Sequence, residues 1–278
     1  MNKKTKHEVI IRPIKTSFYL NFKEIWRFRE LFYTFAWRDI KVRYKQTLLG
    51  ISWAIFQPLV SMIIFTIFFG NIAKIPSGGM PYPLFVYSGL VFWVFFSSAF
   101  SQASNSLVAN GNIIQKIYFP KIILPLSAIV TASVDLLINI LLLLLMSSIF
   151  RFVPSVLSLL IIPFGYLISA LSAAGLGLFF SALYIKYRDV RHATPFFIQM
   201  LMFLSPVIYG ASFVTEKYRL LLAINPMAGV IESVRTVIGG SATIDGVFLG
   251  LSFLSSLAIF VIGLCFFNAT EKYFADVV

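Results

Sequence analysis

Apolar residues in this chain come mainly in long blocks, not at the short steps of a surface helix or strand. Windows of 19 residues single out six blocks, at about Ile51 to Phe69, Pro83 to Phe100, Ile122 to Phe150, Val156 to Tyr184, Ala193 to Tyr209 and Val247 to Phe267. Each is long enough to cross a hydrocarbon core of roughly 30 Å as a helix. The pattern predicts an all-α integral membrane protein with six transmembrane helices, TM1 to TM6, and the even number puts both ends of the chain on one side.

The period changes before the first block. Phe22, Ile25, Trp26, Arg29, Phe32, Tyr33, Ala36, Ile40 and Tyr44 recur at three- and four-residue steps, while Lys23, Arg27, Glu30, Lys41 and Lys45 fill the other side. This spacing predicts an amphipathic helix over 22–46, lying in the membrane interface and preceded by a basic tail over 1–21. A shorter amphipathic helix is expected over 112–119, between TM2 and TM3. Segment 215–238 is apolar but carries Glu216, Lys217, Arg219, Glu232 and Arg235, and Asn225-Pro226 breaks it, since proline cannot continue a helix. It reads as a pair of re-entrant helices between TM5 and TM6.

Polar positions inside the blocks are few and patterned. Gly165, Ser169, Ala173, Gly177 and Ser181 strip one face of TM4 of bulk, which permits close helix approach. Ser127, Thr131, Asp135 and Asn139 form a polar line along TM3. A carboxylate at that depth is expensive enough to face the bundle interior or a water-filled cavity. Asp135 is compatible both with a transport element and with a buried group bonded to a neighbouring helix.

Charge sets the orientation. The chain has 278 residues, 59% hydrophobic and 12% charged, and a net charge of +12, of which +8 lies in residues 1–45. With six spans, one side of the membrane collects 18 Lys and Arg and the other 5. The positive-inside rule puts both termini in the cytoplasm. A basic arm could bind nucleic acid, but the interleaved Phe18, Phe22, Trp26 and Phe32 suit anionic membrane lipids better, so no nucleic-acid partner is expected. The one cysteine, Cys265, excludes an intrachain disulfide.

Catalytic chemistry is thin. None of the 16 glycines precedes a lysine, so there is no P-loop. His7 and His192 have no metal-ligand neighbours in sequence, and Asp135 is the one acid deep in a span. No catalytic, cofactor-binding or metal site is expected.

Short motifs then fall into a recognisable order. Arg43-Tyr44-Lys45-Gln46-Thr47-Leu48-Leu49-Gly50-Ile51-Ser52-Trp53 precedes Gln57-Pro58. After it come Ser88-Gly89-Leu90-Val91-Phe92-Trp93, Tyr187-Arg188-Asp189-Val190, Ser205-Pro206-Val207-Ile208-Tyr209 and Asn225-Pro226-Met227. From about residue 30 to 270 the chain resembles ABC-2 permeases of the polysaccharide export family, the transmembrane subunits of O-antigen, capsule and teichoic-acid exporters.

The resemblance implies a homodimer of permeases with two separate ABC ATPase subunits. It also implies an undecaprenyl-linked polysaccharide substrate and a multi-pass place in the bacterial cytoplasmic (inner) membrane. This chain would hold no cofactor, and ATP and Mg would sit on the partner ATPase. It implies a coupling helix at 112–119. The candidate coupling residues are Arg38, Asp39, Arg43, Asn112, Gln115, Lys116, Tyr118, Arg188, Asp189 and Arg191. Flat rings can stack on sugars without fixing one hydrogen-bond pattern, and the candidate channel aromatics are Phe85, Tyr87, Phe92, Trp93, Phe96 and Tyr209. Asn225, Pro226 and Met227 are candidates for an external gate, and Asp135 and Asn139 for a buried polar pair. Rival readings are an ABC-2 permease for a drug or lipid, a passive channel, and a membrane-bound glycan-modifying enzyme. The last should show acids or histidines converging at a membrane face.

Overall fold

The computed structural model describes residues 22–45, 50, 52–187, 189–241, 243–271 and 274. The basic tail, Gln46 to Leu49, Ile51 and Arg188 lie outside them. Helices α1 (Phe22–Arg27) and α2 (Arg29–Lys45) lead into α3 (Ser52–Phe65), whose last turns over Thr66–Ile72 widen into a π-helix. Then follow α4 (Tyr82–Ala109), α5 (Gly111–Ile114), α6 (Ile123–Ile149) and α7 (Ser158–Lys186). The chain ends in α8 (Val190–Leu204), a 3-10 turn (Ala211–Phe213), α9 (Glu216–Ile224), α10 (Pro226–Ile238) and α11 (Gly246–Thr270).

Among the described residues, five helical segments are long and apolar enough to cross a membrane: Ser52–Ile72, α4, α6, α7 and α11. The expected fifth crossing is different. Helix α8 has 15 residues, roughly 22 Å at 1.5 Å per residue. It stops at Leu204 because Pro206 disfavours helical backbone at Ser205, which is extended at φ −101°, ψ 142°. Its ends nevertheless sit at opposite ends of the bundle. Near its start the Arg191 carbonyl accepts from the Tyr184 hydroxyl at 3.4 Å, at the end of α7. Beyond its C-terminus the Ile208 carbonyl accepts from Tyr82 at 2.9 Å, at the start of α4. Residues 190–208 thus traverse the bundle as a short helix followed by a turn, in which the Val207 amide donates to the Ser205 carbonyl at 2.7 Å. Helices α9 and α10, bent by 105° at the Asn225-Pro226 break, would make the sixth apolar crossing only if counted as one broken span.

Helix α4 is the axis of the fold. The window that makes it a span is 78% buried, against 11% for the α3 segment, and Leu84, Tyr87, Phe92, Phe95, Phe96 and Phe100 are all sealed inside. The stripped face of α7 does what its spacing predicts: a Cβ added at Gly177 would lie 2.5 Å from Ala103 of α4, and one at Gly165 3.3 Å from the Phe92 ring. A tighter approach falls off that line. A Cβ at Gly175 would come within 2.6 Å of the Ile259 and Phe260 backbone, and one at Gly263 would run into the Gly175 carbonyl, so α7 and α11 cross backbone to backbone.

The two ends of the bundle have separate packing. At the end holding α2, called proximal, Phe35, Leu107, Phe119, Ile123, Leu178, Phe267 and Phe274 form one cluster, which brings the start and the end of the described chain together. At the distal end the Ser155 amide donates to the Val237 carbonyl at 2.8 Å, tying the α6–α7 link to α10.

Two proximal elements depart from their expected outlines. The helix expected over 22–46 breaks at Phe28, and the face it buries is that of Leu31, Phe32, Phe35 and Ala36. Trp26 and Tyr33, expected on the apolar side, are 70% and 64% exposed; Arg29 covers the Trp26 ring at 5.6 Å and Tyr33 stacks on Trp37. The arm carries aromatics on two faces, and only the inner one meets a bundle groove. The helix expected over 112–119 shrinks to the single turn α5. Pro120 holds Phe119 out of helical geometry, and Phe119 is buried against the Phe35 ring, so the segment before it unwinds.

Candidate functional site

Between α3, α4 and α8 lies a cleft of about 610 Å³. Its α3 wall presents Trp53, Gln57 and Ser61 at four-residue steps, one face of a helix. The α4 wall presents Trp93, Ser97, Ser98 and Ser101, and α8 contributes Pro195, Ile198 and Met202. Ser61 donates to the Gln57 carbonyl at 3.0 Å and Ser97 to the Val94 carbonyl at 3.1 Å, so both hydroxyls rest on their own helices and keep oxygen lone pairs.

At the proximal mouth of the cleft, Arg43 and Tyr44 of α2 converge on Asp135 of α6. The Arg43 guanidinium pairs with Asp135 Oδ2, and the Tyr44 hydroxyl donates to Oδ1. Burial, and then the adjoining carboxylate, push the Tyr44 pKa above its ordinary value, so the hydroxyl remains a donor. Asp135 is thereby doubly satisfied, as a buried carboxylate requires. One turn on, Asn139 Nδ2 donates to the Asp135 carbonyl at 2.8 Å and to the Ala54 carbonyl of α3 at 3.2 Å. Asn139 Oδ1 accepts from Tyr87 of α4 at 2.8 Å. A continuous polar chain therefore joins the end of the interface helix to three spans.

Arg43 also lines a second, shallower hollow of about 470 Å³ with Asp39, Val42 and Gln102. It stands at the boundary of the two spaces. Arg38 and Asp39 pair with each other at 2.8 Å on the α2 surface.

The other candidate coupling residues are spread over the proximal end. Asn112, Gln115, Lys116 and Tyr118 are exposed, the last three between the buried anchors Ile114 and Phe119. The Tyr118 hydroxyl donates to Glu24 of α1 at 3.3 Å. Asp189 and Arg191 are exposed at the start of α8.

Most of the candidate channel aromatics are interior. Phe85, Tyr87, Phe92 and Phe96 are at most 6% exposed within the chain's own core, and Tyr209 is half-buried at the distal end; Trp93 is the one on the cleft wall. At the candidate gate, Asn225 caps α10 by accepting from the Met227 amide at 3.0 Å, and its amide donates to Ser205 at 2.8 Å and to the Leu204 carbonyl at 3.2 Å. Pro226 fills the first helical position and Met227 is buried.

Sequence reasoning passed over one residue at this end. Arg235, 5% exposed, donates to the carbonyls of Phe85, Pro206, Val207 and Tyr209, and its guanidinium lies 3.7 Å from the centre of the Phe85 ring. An arginine in the otherwise mainly apolar 226–238 segment was the available signal. The serine face of α4 was also missed, although Ser97, Ser98 and Ser101 stand at one-turn spacing.

The comparisons with known proteins agree with this architecture. A profile of ABC-2 type transporters matches residues 30–238. The chain is 26% identical to an O-antigen export system permease protein RfbA of Klebsiella pneumoniae over 86% of its length and 92% of the relative. It is 24% identical to an RfbA of Myxococcus xanthus, over 77% and 82%, and 24% identical to the polysialic acid transport protein KpsM of Escherichia coli, over 84% and 91%. Three quarters of the chain lie inside the profile match, and the chain belongs to the ABC-2 type transporter family.

Proposed function

We propose that this chain is the permease subunit of an ABC exporter that moves a lipid-linked polysaccharide across the cytoplasmic membrane, with ATP hydrolysed by a separate subunit. The observation that carries the reading is the cleft itself: two tryptophans and a row of hydroxyl and amide groups run along membrane-spanning helices, in a chain similar to permeases named for glycan export. Trp53, Phe56, Ile63, Ile67 and Phe68 leave α3 with an exposed apolar face. A second copy of the chain packed there turns two open clefts into one enclosed path, which supports the homodimer with two ATPases. Trp53 and Trp93 line that path, while Phe85, Tyr87, Phe92 and Phe96 support its wall.

Coupling runs through the proximal end. The partner ATPase contacts the exposed 112–118 loop, and the displacement passes through α1 and α2 to the Arg43–Asp135 pair. Asn225, Pro226 and Met227 hold the distal end of α8 to a re-entrant α9–α10 pair. Both termini face the cytoplasm, as does the proximal end.

The reading is tested by expressing the chain with the ATPase of the neighbouring reading frame and purifying it in mild detergent. A stable complex whose hydrolysis is stimulated by lipid-linked glycan is expected. A permease that purifies alone and conducts without nucleotide would refute it in favour of a passive channel; stimulation by drugs or phospholipids alone would favour a drug or lipid exporter.

A further inference from the structure

Of the 16 Lys and Arg among the described residues, one lies on the cleft wall. Among the described residues that line the cleft, Arg43 is the one base and Asp135 the one acid, and they are paired with each other. The remaining polar side chains are one amide, Gln57, the hydroxyls of Tyr44, Ser61, Ser97, Ser98 and Ser101, and the indoles of Trp53 and Trp93.

Walls of low dielectric make that composition consequential. An ionic group entering such a space loses hydration and needs a counter-charge, and pores that pass anions supply it with rows of Arg or Lys. Hydroxyl and amide groups instead both donate and accept, so they exchange hydrogen bonds with sugar hydroxyls at any register. Indole faces add stacking surface that no single register requires.

We infer that the cleft selects uncharged glycan chains: polymers of neutral hexoses pass, and polymers with a carboxylate or phosphate on each repeat are held back. The inference rests on the export reading above and names its substrate class. The cleft's one fixed ion pair sits at the mouth, where it orders α2, and offers no charge to a moving chain.

The test uses the permease with its ATPase in proteoliposomes and two lipid-diphosphate-linked probes of equal repeat number, one of neutral hexose and one of the corresponding uronic acid. Uptake of the neutral probe should be at least tenfold faster. Ser101→Lys and Ser61→Lys, each adding a cation to a different wall, should move the ratio at least threefold toward the uronic probe, with Ser101→Gln as the uncharged control. Equal or faster uptake of the uronic probe by the unmodified complex overturns the selection and leaves the export reading standing. A ratio unmoved by both lysines overturns the cleft as the selecting surface. If neither probe moves or stimulates hydrolysis, the export reading falls, and this inference with it.

Discussion

The Tyr44 hydroxyl donates to the carboxylate of Asp135, 91 residues further along the chain, and Arg43 pairs with the same group. A helix that packs against the bundle is thus held to a span inside it through one acid. Removing that acid strands a guanidinium at the mouth of the cleft.

Asp135→Ala should therefore destabilise the protein. Loss of one partner of a buried pair costs roughly 3–5 kcal/mol, and because Arg43 is 35% exposed the expected loss is about 1–3 kcal/mol. Asp135→Asn, which still accepts from Tyr44, should cost less. Denaturation midpoints in detergent measure both; an alanine variant as stable as the parent would remove the pair from the account.

Arg235→Ala should be the more severe change, because it removes the one side chain that donates to the carbonyls of Phe85, Pro206, Val207 and Tyr209 and leaves Glu232 without its partner. Each unsatisfied buried group costs about 1–3 kcal/mol, so the variant should lose several kcal/mol or fail to accumulate. Lysine should recover only part, since an ammonium lacks the planar fork that reaches several acceptors at once. Full stability of Arg235→Lys would show that charge alone suffices there.

The exposed loop allows the opposite outcome. Lys116→Ala with Tyr118→Ala changes two surface side chains and should alter stability by no more than about 0.5 kcal/mol. Export and ATPase pull-down should both fall at equal expression. Parental values in both would sink the coupling role of the 112–118 loop.

Glu271, just past α11, accepts from the Lys121 amide at 3.3 Å, and burial raises its pKa above the ordinary value, with Glu24 adding to the rise and Lys121 opposing it. The sign follows from proton counting. Between the ordinary value of 4.5 and the raised folded value, the folded state binds more protons than the unfolded one. Stability therefore falls as pH rises through that window, and then levels off. Glu271→Gln, which keeps an acceptor for the amide, should be more stable than the parent at neutral pH and lose that advantage below about pH 4.5. Thermal melts across the acid range decide it; a constant difference at all pH values would exclude titration of Glu271.

Topology is open to labelling. In a Cys265→Ser background, cysteines at Ser77 and Ser212, on the distal loops, should react with an impermeant thiol reagent added outside intact cells, and one at Thr5 should not. Labelling of Thr5 would invert the orientation.

The spans were legible because twenty-residue apolar blocks have few other uses, and the α7 stripe because four-residue spacing of small side chains maps directly onto a helix face. Asp135 was visible as a costly charge, but its partners were not: Arg43 and Tyr44 lie 92 and 91 residues away, and no periodicity encodes which tyrosine reaches which acid. The same limit hid Arg235, whose carbonyl acceptors belong to backbone rather than to side chains. Dense aromatics in α4 read equally well as a lining or a core. Their burial follows from the central place of α4 between α6 and α7, which is a property of the assembled bundle. The loop helix shortened for a reason already written in the chain, since Phe119-Pro120 couples a buried anchor to a backbone restriction.

The backbone contact of Gly175 with Gly263 also bears on how such a bundle can move. At that crossing no side chain lies between α7 and α11, and the Phe164–Phe253 and Phe179–Phe266 ring pairs hold the two helices together on either side of it, so the pair is built to turn as one body. Helix α3, buried over little of its length and ending in a widened turn, has no comparable weld. The two sides of the molecule therefore differ as a frame differs from a shutter, and among the five span-length segments the one best placed to yield to a passing polymer is the one that the rest of the chain buries least.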